Sequence, residues 1–387
     1  MLTVRSAFHK LRQPTKTFRV ADTVSLSTIA RHLGLSVTTV SRALGGYADV
    51  AAATRARVVA EAKRIGYQPN QAARRLRGGR TEAVGVVLPT GPGQFDDPFF
   101  LPLLATVGPH LQAAGLDLLV ATARPGEDEL RSYRHLVEGR RVDGILLART
   151  RRQDARIAYL LDRGMPFVAH GRSDVVRPFA HVDVDGERAC REATERLIGL
   201  GHRRIGLING PDTYMFSLHR QTGWREGLSD AGLAPGPVAR AEPTEENGFR
   251  LMAEMMRQPA PPTAVVCATD RLAVGALHAI SHAGLRAGRD VSVIGYDNLP
   301  MATYTDPPLT TFEQPIERAG ARMVAMLLAL IGGADPRDFF ELWQATLIVR
   351  ASDGPARDEN EAADEAAQTN KTITGGYDDD GKAVRSD

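Results

Sequence analysis

Apolar and polar positions along this chain follow two different periods, and the texture changes near residue 80. Before it, Leu26, Ile29, Ala30 and Leu33 recur at three- and four-residue spacing, the stripe of an amphipathic helix. Gly34 follows as a residue that tolerates positive φ in a sharp turn, and Ser36 can cap a second helix starting at Val37. Val40 and Leu44 fall on the inward face of that helix, where Val58, Ala62 and Ile65 of a third helix would close a small core. After residue 80, short apolar runs alternate with amphipathic stretches. Runs at 83–88, 116–121, 144–148 and 167–170 read as buried strands, separated by helices at 101–114, 128–138 and 154–163. A second series places strands at 205–209, 238–241, 263–268 and 291–296, with helices near 187–200, 220–231, 246–256 and 272–283. Two successive βα series predict two parallel-sheet lobes with right-handed crossovers. Ligands of open α/β sheets bind at the carboxyl ends of strands, so the cleft between the lobes is the expected site.

The first stretch reads as a helix-turn-helix. Such a motif lays its second helix in the major groove with the N-terminal residues against base edges, which here are Val37, Thr38 and, one turn later, Arg42. Arg42 can pair bidentately with guanine O6 and N7, whereas Val37 offers apolar contact to a thymine methyl. Ser36, Thr39 and Ser41 suit phosphates. Charge supports this assignment: residues 1–80 hold 15 Lys and Arg against 3 Asp and Glu, while the whole chain holds 48 against 46. A basic block of that kind recruits phosphate by counterion release.

Several chemistries are absent from the sequence. Gly91-Pro92-Gly93 lacks the third glycine of a dinucleotide fingerprint, and Gly376 to Lys382 mimics a phosphate loop but carries three carboxylates and ends on Ala383 rather than Ser or Thr. There is no Gly-x-Ser-x-Gly elbow or His-Glu-x-x-His, and the ten histidines have no metal-ligand spacing. No catalytic residue, metal or cofactor is therefore expected, and the chain is read as a non-enzyme.

Residues 24–80 resemble the DNA-binding head and hinge of the LacI family of bacterial transcription regulators. The resemblance rests on Ile29-Ala30, Gly34, Ser36, Thr39-Val40-Ser41-Arg42, Thr54-Arg55, Gly66-Tyr67, Pro69-Asn70, Ala73, Leu76 and Arg80-Thr81, in ungapped register. It implies a hinge helix around Asn70, Ala73, Arg74 and Leu76 that orders on DNA and pushes Leu76 into a minor-groove step. An apolar tip flanked by Arg74, Arg75 and Arg77 has the chemistry of a kinking wedge, although Leu76 can also be read as an interdomain contact. Two departures stand out. Ala51 replaces the usual capping Ser before the third helix, and Gly45-Gly46 replaces an Asn-Gly-like turn.

The following core is similar to the periplasmic-binding-protein-like domain of the same family. Its signposts are Pro98-Phe99-Phe100, Val142-Asp143-Gly144-Ile145, Val182-Asp183-Val184-Asp185, Leu200 to Ile205, Arg220 with Gly223-Trp224, Asp270, Val293 to Asn298 and Pro308 to Thr311. By that resemblance Phe99, Arg220, Asp270 and Asp297 would line an effector cleft, with His170 and Arg172 as further candidates. Sugar chemistry suits these types, because carboxylates accept from hydroxyls, Arg donates from a rigid fork and an aromatic face covers the C–H side of a pyranose. Plainer readings stand beside each: Phe99 as core, Arg220 as a surface helix residue, Asp297 as a turn cap and Asp270 as the cap of a helix beginning at Leu272. Thr269 stands where many relatives carry Asn.

The resemblance implies an α/β protein in which a three-helix head plus hinge helix joins a two-lobed core of parallel sheets. Its divisions are a basic extension at 1–23, the head and hinge at 24–80, an effector-binding and dimerisation domain at 81–352, and a disordered acidic tail at 353–387. As a homodimer it would bind double-stranded, pseudo-palindromic operator DNA, repressing carbohydrate-utilisation genes under allosteric control by a small sugar-like effector. The alternatives are a transport-type sugar-binding protein and a regulator of a non-sugar metabolite. Residues 1–23 contain no secretory apolar run, and the longest apolar run, Met323–Ile331, is too short to span a bilayer. A cytoplasmic protein without a membrane partner is expected, and Cys190 and Cys267 are expected to stay reduced.

Overall fold

Helix α1 (Leu26–Leu33) ends at Gly34, which takes a left-handed φ of 67° and turns the chain into α2 (Val37–Leu44). The Ser36 hydroxyl accepts from the Thr39 amide at 3.0 Å, so the expected N-cap is present. Helix α3 (Ala52–Arg64) starts at Ala51, which offers no side-chain cap. Ile29, Ala30, Val40, Ala43, Val50, Val58 and Ala62 are buried between the three helices, while Leu44 and Ile65 pack at the margin. This is a computed structural model that describes residues 25–67, 80–91 and 97–357, divided into units Met1–Arg80 and Thr81–Asp387. The basic extension at 1–23, the hinge residues Asn70, Ala73, Arg74 and Leu76, and residues 358–387 lie outside the described residues.

The second unit opens with β1 (Ala83–Pro89), α4 (Phe100–Ala113), β2 (Asp117–Ala123), α5 (Glu127–Glu138), β3 (Gly144–Leu147), α6 (Ala155–Asp162), β4 (Phe167–His170) and β5 (Ala180–Val184). Next come α7 (Gly186–Gly199), β6 (Ile205–Asn209), α8 (Met215–Asp230), β7 (Val238–Arg240), α9 (Glu245–Met256), β8 (Ala264–Cys267), α10 (Asp270–His282) and β9 (Ser292–Ile294). The chain closes with β10 (Thr311–Glu313), α11 (Ile316–Ile331), β11 (Phe340–Trp343) and β12 (Thr346–Ile348). One six-stranded sheet runs β11-β5-β4-β3-β1-β2 and a four-stranded sheet runs β7-β6-β8-β9, with every pairing parallel. Strands β10 and β12 form a separate antiparallel pair.

The two lobes are not simply successive in sequence. After the second lobe is built, α11 returns to the first and buries Met323, Val324, Met326, Leu327 and Leu330 against Leu103, Val107 and Leu111 of α4. Strand β11 then adds to the first sheet beside β5. The chain thus crosses between lobes after β5, after β10 and after β11, so three connections join the lobes. The apolar run noted in sequence at Met323–Ile331 is the C-terminal half of α11, packed into the first-lobe core. Among the described residues no helix is long and apolar enough to cross a membrane.

Two expected boundaries change. Helix α8 starts at Met215 rather than Arg220, because Met215, Ser217, Arg220, Gly223 and Trp224 are buried on several sides of it and no single apolar stripe marks its first turn. The tail expected from residue 353 begins too early. Ser352 and Asp353 are buried, Arg196 pairs with Asp353 at 2.5 Å, and the Ala356 amide donates to the Leu200 carbonyl at 2.8 Å. Acidic composition suggested solvation, but this carboxylate has a cation and the Thr310 hydroxyl as partners at 2.5 Å each.

Candidate functional site

In the head, Ser36, Val37, Thr38 and Arg42 are exposed and Thr39 and Ser41 are half-buried. Ser36 and Thr39 are engaged with each other, their hydroxyls 2.8 Å apart. Arg42 sits one turn further along the same helix, pairs with Asp49 at 2.5 Å and lies over the Tyr47 ring, 5.1 Å from its centroid. The exposed set is therefore an apolar residue, hydroxyls and one guanidinium, the donor types that suit a duplex groove. Glu61 has its own partners away from that set. Arg64 and His32, each at 2.6 Å, hold its carboxyl down at about 2.

In the second unit a cleft opens between the two lobes. Strand ends build it. Arg149 and Thr150 follow β3, His170 to Arg172 end β4, Asp183 ends β5, and Thr269 and Arg271 follow β8. Helix α8 adds Phe216, His219 and Arg220, and the segment after β9 adds Asp297.

Three of the four expected cleft residues come together there: Phe99, Arg220 and Asp297. Arg220 is buried, donates to the Ala268 carbonyl, and lies 3.7 Å above the centre of the Tyr296 ring and 4.9 Å from that of Phe216. Asp297 has a φ of 125° and precedes Asn298 at 52°, a left-handed pair of non-glycine residues. Such backbone costs on the order of 1–3 kcal/mol and persists only where surroundings over-determine it. Here the Asp297 amide donates to the Phe312 carbonyl at 2.8 Å, and Gln314 donates to its carboxyl at 2.7 Å. Enclosure by the cleft pushes that carboxyl up to about 7, with Arg220 working against the rise. Phe99 meets His170 edge-on, 4.9 Å between ring centres.

Asp270, the fourth, does not line the cleft, which corrects the expectation drawn from sequence. Its side chain is fully buried, accepting from the Leu299 amide at 2.8 Å and the Thr311 hydroxyl at 2.5 Å. Its carboxyl presses on Gly295, where an added Cβ would come within 2.3 Å of it. Asp270 thus braces α10 against the turn that carries Asp297. Nor is it the helix cap, since Thr269 accepts from the Leu272 amide. Burial pushes the Asp270 carboxyl up to about 6 against those hydrogen bonds.

The sequence had singled out His170 and Arg172 but not Asp97, Arg149, Phe216, His219, Arg271 or Gln314 as cleft residues. A signal existed for Arg149 and Arg271, each of which stands just past a strand of the predicted series. None existed for Phe216 and His219, because the start of α8 was misplaced. Arg149 pairs with Asp97, Arg172 with Asp183 at 2.7 Å and Arg271 with Glu245 at 2.8 Å. Arg149 Nη1, Arg172 Nη2, Arg220 Nε, His170 Nε2 and His219 Nε2 are buried with no hydrogen-bond partner among the described residues. Desolvation holds both histidines below the ordinary imidazole range, so their neutral forms are favoured. Among the described residues no cluster of His, Cys, Asp or Glu could hold a metal.

Comparisons with known proteins agree with this layout. The family of bacterial regulatory proteins, lacI family, matches residues 25–70, and the periplasmic binding protein-like domain matches residues 174–352. The HTH-type transcriptional regulator AglR of Rhizobium meliloti is 42% identical over 87% of this chain and 96% of its own length. Among solved structures, the lac repressor dimer bound to operator and the anti-inducer ONPF aligns with a TM-score of 0.76 at 28% identity, covering 86% of this chain and 99% of that one. The complex of the transcriptional regulator CelR with cellobiose aligns with a TM-score of 0.66 at 33% identity, covering 85% of this chain and 99% of that one.

Proposed function

Because this chain belongs to the LacI family of bacterial transcriptional regulators, we propose that it is a repressor whose hold on a pseudo-palindromic operator is set by a sugar bound in the interlobe cleft. Two heads of a homodimer would read two half-sites, with residues 24–80 serving as head and hinge and residues 81–352 as the effector-binding and dimerisation domain. Ser36, Val37, Thr38, Thr39, Ser41 and Arg42 would face DNA, with Asn70, Ala73, Arg74 and Leu76 in the hinge. Phe99, Arg220 and Asp297 would hold the effector, joined by Arg149, His170, Arg172, Phe216 and His219.

The observation that carries the sugar reading is the pairing of charge in the cleft. Arg149, Arg172 and Arg271 each have a carboxylate partner, so most of the positive charge in the cleft is already balanced and little is left over for an anionic ligand. What remains is a set of single unpartnered nitrogens between two aromatic faces, Phe99 and Phe216. That combination suits a neutral molecule with many hydroxyls and an apolar ring face.

Thermal unfolding of the full chain against cellobiose, other disaccharides and monosaccharides tests the reading, with glucose 6-phosphate as an anionic control. A ligand at about 100 times its Kd adds ~2.7 kcal/mol. The same ligand should change operator affinity by about 5- to 150-fold in fluorescence anisotropy. Stabilisation by the phosphorylated sugar alone would show that the cleft recognises an anion.

A further inference from the structure

Arg42, on the exposed face of α2, is already held by two side chains of its own head. We propose that Asp49 and Tyr47 form a buttress that fixes the Arg42 guanidinium for one base, making Asp49 a positioning residue for DNA specificity. The inference rests on the reading of Arg42 as the base-contacting residue.

The segment that carries the buttress is anchored at both ends. Arg55 of α3 donates to the Tyr47 carbonyl at 2.7 Å and to the Val50 carbonyl at 3.4 Å. The Tyr47 amide donates back to the Arg42 carbonyl at 3.2 Å, the Val50 amide donates to the Tyr47 carbonyl at 3.2 Å, and the Val50 side chain is buried in the head core. A Cβ at position 45 would meet the Tyr47 ring at 2.9 Å, so Gly45 is what lets that ring lie against the end of α2. Asp49 is thereby carried between two fixed residues, with its carboxylate 2.5 Å from Arg42 Nη2 while Tyr47 supports the guanidinium plane from one side.

A free Arg side chain must lose rotamer freedom to present two parallel N–H groups to guanine O6 and N7. A carboxylate on one edge of the guanidinium fork and a ring beneath it remove much of that freedom beforehand, and a second edge stays open because Arg42 is about half exposed. As a surface ion pair the contact contributes little to stability. Its sign is also unfavourable for general DNA binding, since Asp49 is one of only 3 acidic residues against 15 basic ones in residues 1–80 and would repel phosphate. Directing Arg42 to a base edge rather than a phosphate is the function that fits an acid at this place.

The test selects binding sites for the full chain from duplexes with a randomised central stretch, comparing wild type with Arg42→Ala, Asp49→Asn, Asp49→Glu and Tyr47→Ala. Wild type should select one guanine per half-site that Arg42→Ala no longer selects. A bidentate Arg–guanine pair discriminates by about 5- to 150-fold. Asp49→Asn should lower guanine preference at that same position at least fivefold while binding random duplex more tightly, and Tyr47→Ala should move preference in the same direction. Asp49→Glu should restore part of the preference. If Asp49→Asn strengthens binding to every duplex and leaves the guanine preference intact, Asp49 is only a repulsive charge and the buttress is refuted. Loss of preference at a different position would make Asp49 a base reader in its own right and equally refute it. Should Arg42→Ala select the wild-type site, the assignment of Arg42 fails instead, a result separate from either of these.

Discussion

Asp297 and Asp270 are both carboxylates raised by burial, yet their surroundings assign them different work. Asp297 faces the cleft and Asp270 the interior, so the same substitution should give separable outcomes. Asp297→Asn should abolish the operator response to sugar while leaving operator binding unchanged, as read by anisotropy with and without ligand; a retained response would move the site. It should also alter the pH dependence of stability. A carboxyl whose folded value of about 7 lies above its ordinary 3.8 favours the folded state most at low pH and loses that contribution as pH rises from about 4 through 7. Between pH 4 and 8 the wild-type melting temperature should therefore fall relative to that of Asp297→Asn, and parallel curves would contradict the raised value. Asp270→Ala instead strands the Leu299 amide and the Thr311 hydroxyl, at about 1–3 kcal/mol for each orphaned donor. Thermal unfolding should register that loss, and because Asp270 also braces the turn that carries Asp297, sugar affinity should fall while the operator response to saturating sugar is retained, unlike in Asp297→Asn. Arg220 and Asp297 were legible in sequence because both fall in the family pattern, Asp297 just after a strand and Arg220 three residues before Gly223-Trp224, even though the start of the helix that carries Arg220 was not. The role of Asp270 was not, because whether an acid beside a strand end points into a cleft or behind a glycine depends on the depth of its neighbours.

Among the elements, α3 is the one whose sequence leaves a local defect. Ala51 already has the extended ψ of 139° that suits an N-cap but has no oxygen to offer the first-turn amides. Ala51→Ser should stabilise the head by about 0.5–2 kcal/mol, seen as a higher melting temperature for the head transition, and no rise would show that the first turn is satisfied by other means. The head helices were readable because each presents one apolar face at helical spacing, as Ile29 and Val40 illustrate, and most strands because they are short continuous apolar runs buried on both faces. Helix α8 was cut short because it is buried on several sides, and α11 was read only as an apolar run because nothing local says that it returns to the first lobe. Its partner is α4, some two hundred residues earlier. Strand β11 presents the same difficulty. Its pairing with β5 is decided by the lobe crossing, and Phe340 and Leu342 remain exposed at the sheet edge.

Across the core domain as a whole, the cleft is closed at one lip by backbone as well as by side chains. The Met215 amide donates to the Thr150 carbonyl at 3.0 Å and the Arg152 amide to the Thr213 carbonyl at 3.3 Å, with Arg151 and Tyr214 paired in antiparallel fashion between them. The first-lobe half of this clasp is held by a buried ion network. Glu129 binds Arg151 at 2.5 Å and Arg156 at 2.6 Å, and Arg156 also pairs with Asp154 at 2.7 Å. Removing one member of such a network leaves uncompensated charge and costs about 3–5 kcal/mol, so the network fixes the clasp loop rather than merely decorating it. A ligand that touches Arg149 and His170 on one lobe and Phe216 and Arg220 on the other can bind well only when the clasp is formed, and by linkage it must favour the clasped state. Hydrogen exchange at Arg152 and Met215 should therefore slow on saturation with sugar in wild type. In Glu129→Gln the same amides should exchange faster without sugar, and more binding energy should be consumed in closing the lip, giving weaker apparent affinity. Unchanged exchange in a protein demonstrably saturated with sugar would mean that lobe closure is not the coordinate the effector acts on, and the response of the operator-binding head would have to arise from a different rearrangement of the first lobe.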